Sequence, residues 1–273
     1  MDDSDLASLA DGLLAVALRV AQVQVAHFAA GVTAEIKTDN SPVTIADRES
    51  EDLILEALAK VAPGIPVVSE EAAAVGQFPV VDRTFFLVDP LDGTKPFLRR
   101  EPHFTINIAL IEDRRPIFGL LYAPAIPDFY VTLASNKVGA ARLDPHSRVR
   151  TLADCQLEML HTRAADPSRI SALTSHTHLN AETRQLLDRY RVADRRAVSS
   201  SLKFGLLARG EADIYPRVGP TNEWDTAAGH AVLAAAGGTV LTLDGAPLQY
   251  GKPGFHNPAF VAWGRTPVPG NAQ

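Results

Sequence analysis

One cysteine, Cys155, stands among 273 residues, so no disulfide can form within the chain and the fold must rest on its apolar core. A single thiol fits a reducing compartment, and burial as a small hydrophobe is its expected place. Excess positive charge is lacking too. Against 32 Asp and Glu there are 26 Lys and Arg, a net charge of −6 with a pI near 5.7. Attachment to a nucleic-acid polymer is driven by clustered Lys and Arg, so that partner class is excluded, and an anionic substrate must be held by local cations and metal. No uninterrupted apolar run reaches the ~20 residues that span a bilayer. The opening Met1-Asp2-Asp3-Ser4-Asp5 has the wrong sign for a signal peptide. A soluble cytoplasmic protein is the expectation. Of the eight histidines only His176 and His178 lie close together, with no third ligand near them in sequence, which argues against zinc. Repeats and long linkers are absent as well. With 46% hydrophobic and 21% charged residues, the chain can bury a sizeable core as one large domain or two intimately packed lobes.

What is present is a set of carboxylates in unusual places. The apolar run Phe85-Phe86-Leu87-Val88 stops at Asp89-Pro90-Leu91-Asp92-Gly93-Thr94, which sets two acids at the end of a buried strand. Two side-chain carboxylates and the intervening Leu91 carbonyl can face one point there, a hard-oxygen set suited to Mg²⁺; an ordinary turn is the simpler reading, since Asp, Pro and Gly are common turn formers. Three further acidic segments resemble it. Val67-Val68-Ser69-Glu70-Glu71 ends a β-branched run, Thr44-Ile45-Ala46-Asp47 precedes a helix, and Asn222-Glu223-Trp224-Asp225-Thr226 opens another. Asp47 and Asp225 would serve equally as N-caps, and Glu70 with Glu71 as a solvated strand end. All four segments lie at element ends, where the active sites of α/β proteins gather.

Hydrophobic periodicity predicts helices over residues 6–30 and 47–62, the second stopped by Pro63-Gly64, and further helices near 181–189, 202–209 and 225–236. Strands are expected at 67–68, 85–88, 104–111, 117–122, 129–133, 157–161, 212–215, 239–243 and 260–263. Helices and strands alternate, an α/β pattern that packs in layers.

Taken in order, Ser69-Glu70-Glu71, Asp89-Pro90-Leu91-Asp92-Gly93-Thr94 and Glu223-Trp224-Asp225-Thr226-Ala227-Ala228-Gly229 resemble the inositol monophosphatase superfamily of metal-dependent, lithium-sensitive phosphatases, over about residues 37 to 238. Lys95, where inositol phosphatases usually carry Asn, is similar to the branch acting on phosphoadenosine bisphosphates. So are the stretch from Lys37-Thr38-Asp39-Asn40 to Thr44, the segment Ser200-Ser201-Leu202-Lys203-Phe204, and Tyr215-Pro216-Arg217 with the residues to Thr221. These look like the 3'(2'),5'-bisphosphate nucleotidase branch of the CysQ type. That branch usually has Glu after the Lys; here Pro96 alters the loop entry.

The resemblance implies an αβαβα layered sandwich, as in the inositol monophosphatase and fructose-1,6-bisphosphatase type, in which a metal-binding lobe of about residues 1–150 and a second of about 151–273 complete one site. It implies two or three Mg²⁺ ions: Glu70, Asp89 and the Leu91 carbonyl on the first, Asp89, Asp92 and Asp225 on the second, and a weaker third near Glu70. Two such ions, ~3.5–4 Å apart, polarise an attacking water and stabilise the leaving oxygen. Asp47 and Thr94 look like the pair that orients and deprotonates that water, with Glu70 as the remaining catalytic acid. For substrate it implies Gly93, Thr94, Lys95, Ser200, Ser201, Lys203, Arg217 and Asp225. A helix beginning just after Asp92 would aim free N–H groups at the scissile phosphate, with Gly93 allowing close approach or simply making a turn. Lys203 and Arg217 would pair with the phosphate that is kept, or be a solvated Lys and a surface Arg; Ser200 and Ser201 would contact substrate or cap a helix. His230 reads as a core or surface histidine, and Trp224 as packing beneath the site. The expected activity is removal of the 3'-phosphate from adenosine 3',5'-bisphosphate and its sulfated form. The alternatives are an inositol or broad sugar monophosphatase and an idle metal or nucleotide sensor. Lithium and calcium should inhibit. A homodimer is a further implication that no residue here demonstrates.

Overall fold

The computed structural model describes residues 1–273 apart from 38–40, 177–179, 266, 269 and 271–273, so Thr38-Asp39-Asn40 and His178 singled out above lie outside the described residues. In chain order the elements are α1 (Asp3–Ala30), β1 (Glu35–Ile36), β2 (Pro42–Val43), α2 (Ile45–Val61), β3 (Val67–Ser69), α3 (Glu70–Ala74), β4 (Thr84–Asp92), α4 (Thr94–Leu98), β5 (Thr105–Glu112), β6 (Arg115–Ala123), β7 (Asp128–Ala134), β8 (Lys137–Arg142) and β9 (Glu158–Met159). Then come β10 (Ile170–Thr174), α5 (Ala181–Leu187), β11 (Val192–Ala197), α6 (Leu202–Ala208), β12 (Ile214–Arg217), α7 (Ala227–Ala235), β13 (Thr239–Thr242) and β14 (Phe260–Trp263).

Strands β3 to β9 form a seven-stranded sheet in sequence order, and β11-β10-β12-β14-β13 a five-stranded one. Side chains alternate along β4: Phe85 and Leu87 join the core built with α6 and α7, while Phe86 and Val88 join the core built with α1 and α2. Burial on both faces explains why β4 reads as an unbroken apolar run. Helices α1 and α2 cover the outer face of this sheet, α6 and α7 lie between the two sheets, and α5 packs on β12. The result is the layered αβαβα sandwich that was expected.

Helix α1 begins with a reciprocal cap, Asp2 accepting from the Asp5 N–H at 2.9 Å and Asp5 from the Asp2 N–H at 3.0 Å. Leu6, Leu9, Leu13, Leu14, Ala17 and Ala21 form its buried stripe. By length and composition alone α1 is long and apolar enough to cross a bilayer, which a search for uninterrupted apolar runs does not register; its stripe instead lies in the core with Phe86 and Val88. Among the described residues, β1, β2, β8, β10 and β11 had no strand expectation. The Gly139-Ala140-Ala141 run of β8 has low β-propensity, and β11 exposes Asp194, Arg195 and Arg196 at a sheet edge. The strand expected at 157–161 shrinks to Glu158–Met159.

Helix α7, which follows Asp225, crosses β6 at Gly119. A Cβ there would lie 2.2 Å from the Ala228 carbonyl oxygen and 2.9 Å from the Ala231 Cβ, both in the first half of α7. Gly119→Ala is expected to lower stability by about 1–3 kcal/mol through overpacking, read as a reduced urea midpoint. An unchanged midpoint would contradict this close approach.

Candidate active site

The end of β4 makes the first half of the site through its departure from regular pairing. Asp89 faces Asn107 and Asp92 faces Thr105, so three steps on β4 match two on β5 and one residue is extra. In a regular strand, residues three apart point to opposite faces. The bulge, at Pro90 with its missing N–H, returns Asp89 and Asp92 to one side. Leu91 then buries its side chain with Ala46, Phe97 and Phe104 and gives its N–H to Asp89 Oδ1 at 3.0 Å. From α1, Gln24, fully buried on an otherwise apolar stripe, donates to the Pro90 carbonyl at 2.7 Å and pins the bulge.

Asp47 proves to be the third residue of α2 rather than its cap. Its Oδ2 accepts from the Thr44 N–H at 2.8 Å and from Thr44 Oγ1 at 2.6 Å, and its Oδ1 from Thr94 Oγ1 at 3.1 Å. It stands behind Thr94, which lines the cavity where Asp47 does not. Helix α4 begins at Thr94, with Gly93 as its N-cap at φ 104° and a backbone carbonyl 3.2 Å from where a Cβ would be. Pro96 falls in the first turn of this helix, where a missing N–H leaves no partner unmet.

Glu70 and Glu71 start α3, held by Glu51 of α2, whose Oε1 accepts from the Glu71 N–H at 3.2 Å. Neither is a free strand end: Lys37 Nζ lies 2.8 Å from Glu70 Oε1 and 2.7 Å from Glu71 Oε1. Burial works against the Lys37 charge, yet the two carboxylates raise its pKa above the ordinary lysine value. Burial and then Glu70 push Glu71 up to about 7.

Asp225 is likewise not a helix cap, because α7 starts at Ala227 with Thr226 before it. Its Oδ2 accepts from the Asn222 N–H at 2.8 Å, closing a turn. The neighbouring motif residues are structural. Glu223 is fully buried and accepts from the Gly251 and Lys252 N–H groups at 2.7 and 2.9 Å. Trp224 is buried against Phe255, and Gly229 leaves room for Phe204 of α6, whose ring a Cβ would meet at 2.4 Å.

Glu70, Asp89, Asp92 and Asp225 all line one cavity of about 460 Å³ lying between the two sheets, together with Leu91, Gly93, Thr94 and the exposed Lys95. Removal from water, with the charges of Glu70, Asp92 and Asp225, holds Asp89 far above the usual carboxylate range. Burial, then Asp92 and Glu70, does the same to Asp225, and burial brings Asp92 to about 6 against the pull of Lys203 and the Ser201 N–H. Among the described residues no three acidic, His or Cys side chains already close around one point; Glu70 is turned to Lys37, while Asp92 and Asp225 each accept from a backbone N–H. The donor set is nevertheless all oxygen, and burial with neighbouring negative charge raises the proton affinity of Asp89, Asp92 and Asp225, which is the chemistry a hard divalent cation relieves.

The opposite wall comes from α6 and β12. Ser200, Ser201, Lys203 and Arg217 line the cavity as anticipated, but not in the expected form. Lys203 is neither solvated nor reaching outward: 3% exposed, it lies 4.8 Å from the centre of the Tyr215 ring, donates to the Val198 carbonyl at 3.1 Å and to the Ser200 carbonyl, and is depressed to about 7 by burial. Arg217, 8% exposed, donates to the Gly219 and Pro220 carbonyls at 3.2 and 2.7 Å. The Ser201 hydroxyl does not cap α6 but is held by Asn107 Oδ1 at 2.6 Å and Thr105 Oγ1 at 2.7 Å, while its N–H donates to Asp92 Oδ2 at 2.6 Å. Ser200 has φ 59°, a left-handed backbone that turns the chain into α6. Gln24 and Glu51 escaped the reading of the sequence, and Glu223 was quoted in the motif without a role; the only mark of Gln24 was a polar residue in an apolar helical stripe.

A model of the inositol monophosphatase family matches residues 5–266, and the chain belongs to that family. It is 42% identical over 226 residues to the 3'(2'),5'-bisphosphate nucleotidase CysQ of Shigella flexneri, covering 82% of this chain and 86% of that protein. Identity to the protein of the same name from Escherichia coli K12 is 40% over 225 residues, with the same coverage. The crystal structure of CysQ from Bacteroides thetaiotaomicron superposes with a TM-score of 0.78 at 32% identity, covering 95% of this chain and 98% of that one. An inositol monophosphatase from Anabaena (Nostoc), at TM-score 0.70 and 22% identity, shares the fold over 95% of this chain and 91% of its own.

Beneath Asp225, His230 Nδ1 lies 3.0 Å from Tyr250 OH, which donates to Thr226 Oγ1 at 3.3 Å, which donates in turn to the Glu223 carbonyl at 3.2 Å. This order of donors assigns the proton of a neutral His230 to Nδ1, and burial depresses its pKa to about 3. In the unfolded chain the residue takes a proton below about pH 6.5. The stability from keeping it neutral is therefore present above pH 6.5 and is lost as pH falls toward 3, at about 1.4 kcal/mol per pH unit. His230→Gln, which keeps an N–H donor, is expected to flatten the acid limb of a plot of urea midpoint against pH. A slope equal to that of the unaltered protein would contradict the assignment.

Proposed function

We propose that this chain is a Mg²⁺-dependent 3'(2'),5'-bisphosphate nucleotidase, a phosphomonoesterase that converts adenosine 3',5'-bisphosphate to AMP and phosphate. The observation that carries the reading is the convergence of Glu70, Asp89, Asp92 and Asp225, drawn from three distant segments, on one cavity. The identity to CysQ proteins over most of the chain supplies the substrate class. The site straddles both sheets, so the two lobes act as one catalytic unit. The buried Cys155 and the core-packed α1 fit the cytoplasm.

Glu70, Asp89, Asp92, Asp225 and the Leu91 carbonyl would hold the Mg²⁺ ions, two or three of them. When bound, these ions neutralise the phosphoryl oxygens and acidify a water. Thr94 donates its hydroxyl proton to Asp47, which leaves its lone pairs to accept from that water and orient it. Burial raises the Asp47 pKa above the ordinary Asp value, which makes it a stronger base for the proton relayed through Thr94. Water oxygen bonds to phosphorus as its proton passes through Thr94 to Asp47; the bond from phosphorus to the ribose 3'-oxygen breaks, that oxygen takes a proton from solvent water to leave as a hydroxyl, and Asp47 returns its proton to solvent. Lys95, exposed at the rim, is the side chain left to meet the retained phosphate. Lys203 and Arg217, committed to backbone carbonyls, act on it through their field.

The test is phosphate release in Mg²⁺ from adenosine 3',5'-bisphosphate and from inositol 1-phosphate, compared as kcat/KM. A preference for the nucleotide of at least about tenfold, or about 1.4 kcal/mol in transition-state binding, is expected. A ratio near one would place the protein among inositol or broad-specificity monophosphatases, and no release from either would make it a binding protein.

A further inference from the structure

Asp225 reaches the cavity from a turn, residues 221–226, that precedes α7 and belongs to no regular element except a single bridge between Asn222 and His256. Such a turn would yield readily to repulsion from Asp89, Asp92 and Glu70. What spans it is Asn257. The side-chain amide nitrogen of Asn257 lies 2.7 Å from the Asn222 carbonyl oxygen, 3.0 Å from Thr226 Oγ1 and 3.2 Å from Thr221 Oγ1, so it grips the turn on both sides of Asp225. Its backbone N–H donates to the Thr221 carbonyl at 2.9 Å. Its Oδ1 accepts from Lys252 Nζ at 3.3 Å, the ammonium that pairs with the buried Glu223 at 2.5 Å. Asn222, held through its carbonyl, gives its own N–H to Asp225 Oδ2.

We propose that Asn257 is a positioning residue for Asp225, holding its carboxylate toward the other three acids through Asn222 and Thr226. The chemistry of an amide suits the place. It donates to several acceptors at once and carries no charge, so it neither adds to the repulsion among the carboxylates nor changes state with pH. An aspartate there would set acceptor against acceptor. The proposal rests on reading the cavity as a divalent-cation site.

The test is calorimetric titration of the metal-free full chain with MgCl₂, as the unaltered protein, Asn257→Ala, Asp225→Asn and the double variant. Loss of an outer residue that orients a ligand weakens metal binding by roughly tenfold or more. Asn257→Ala is therefore expected to raise the Mg²⁺ dissociation constant about tenfold when Asp225 is present, and by less than about twofold when Asp225→Asn has already removed the carboxylate. Equal weakening in both backgrounds, or none in either while the unaltered protein binds, overturns the role of Asn257 and leaves the cation site standing. An unaltered protein that binds no Mg²⁺ overturns the cation site and this proposal with it. Should Asn257→Ala fail to melt cooperatively in EDTA, Asn257→Ser, which keeps a donor, is read by the same criteria.

Discussion

Repulsion among Glu70, Asp89, Asp92 and Asp225 is the constraint to which the surrounding structure answers. At an effective dielectric constant of about 20, two unit charges ~4 Å apart repel by about 4 kcal/mol, against a total folding stability of only about 5–15 kcal/mol. Four acids cannot be assembled in a recess on those terms without relief. Part of it comes from protons, since Asp89, Asp92 and Asp225 are all raised above the ordinary carboxylate value, first by burial and then by neighbouring acids, Glu70 among them in each case. Part comes from cations of the chain itself, with Lys37 on Glu70 and Lys203 near Asp92. A divalent cation would relieve the remainder without requiring the acids to keep their protons, which is the condition for hydrolysis near neutral pH.

Holding the acids in place is the second requirement, and each is fixed by a different device. A bulge at Pro90 aims Asp89 and Asp92 the same way, with Gln24 reaching from α1 to keep it there. Glu51 secures the start of α3 and so Glu70. Asp225 depends on the turn that Glu223 and Asn257 tie to residues 251–257. The two cores on either face of β4 make these devices effective, because a strand buried on both sides cannot shift its register without turning every apolar side chain to the wrong face.

The carboxylates and the layered architecture were legible in the sequence because each breaks or sets a pattern: an acid ending an apolar run, or a helical stripe alternating with short apolar strands. The αβαβα order followed from resemblance more than from periodicity, and β1, β2, β8, β10 and β11 had no counterpart among the expected strands. What stayed hidden depends on contacts between distant residues. Nothing in Ser201 marks it as a core hydroxyl shared with Asn107 and Thr105, and nothing in Lys203 or Arg217 shows that their charged ends face backbone carbonyls. Asp47 was read as a cap or a catalytic acid; Thr44 is the cap of α2, and the pairing of Asp47 with both Thr44 and Thr94 is a contact that spacing alone does not show.

Whether this cavity is an electrostatically strained site completed by a divalent cation is decided by the thermal stability of the metal-free protein as a function of Mg²⁺ concentration. Binding to the folded state alone should raise stability by about 2.7 kcal/mol at a hundredfold excess over the dissociation constant, so the melting temperature is expected to climb steadily with the logarithm of added Mg²⁺ while sodium at equal ionic strength leaves it flat. A melting temperature that responds to the two salts alike would contradict the claim, because the carboxylates would then be stable together without the ion.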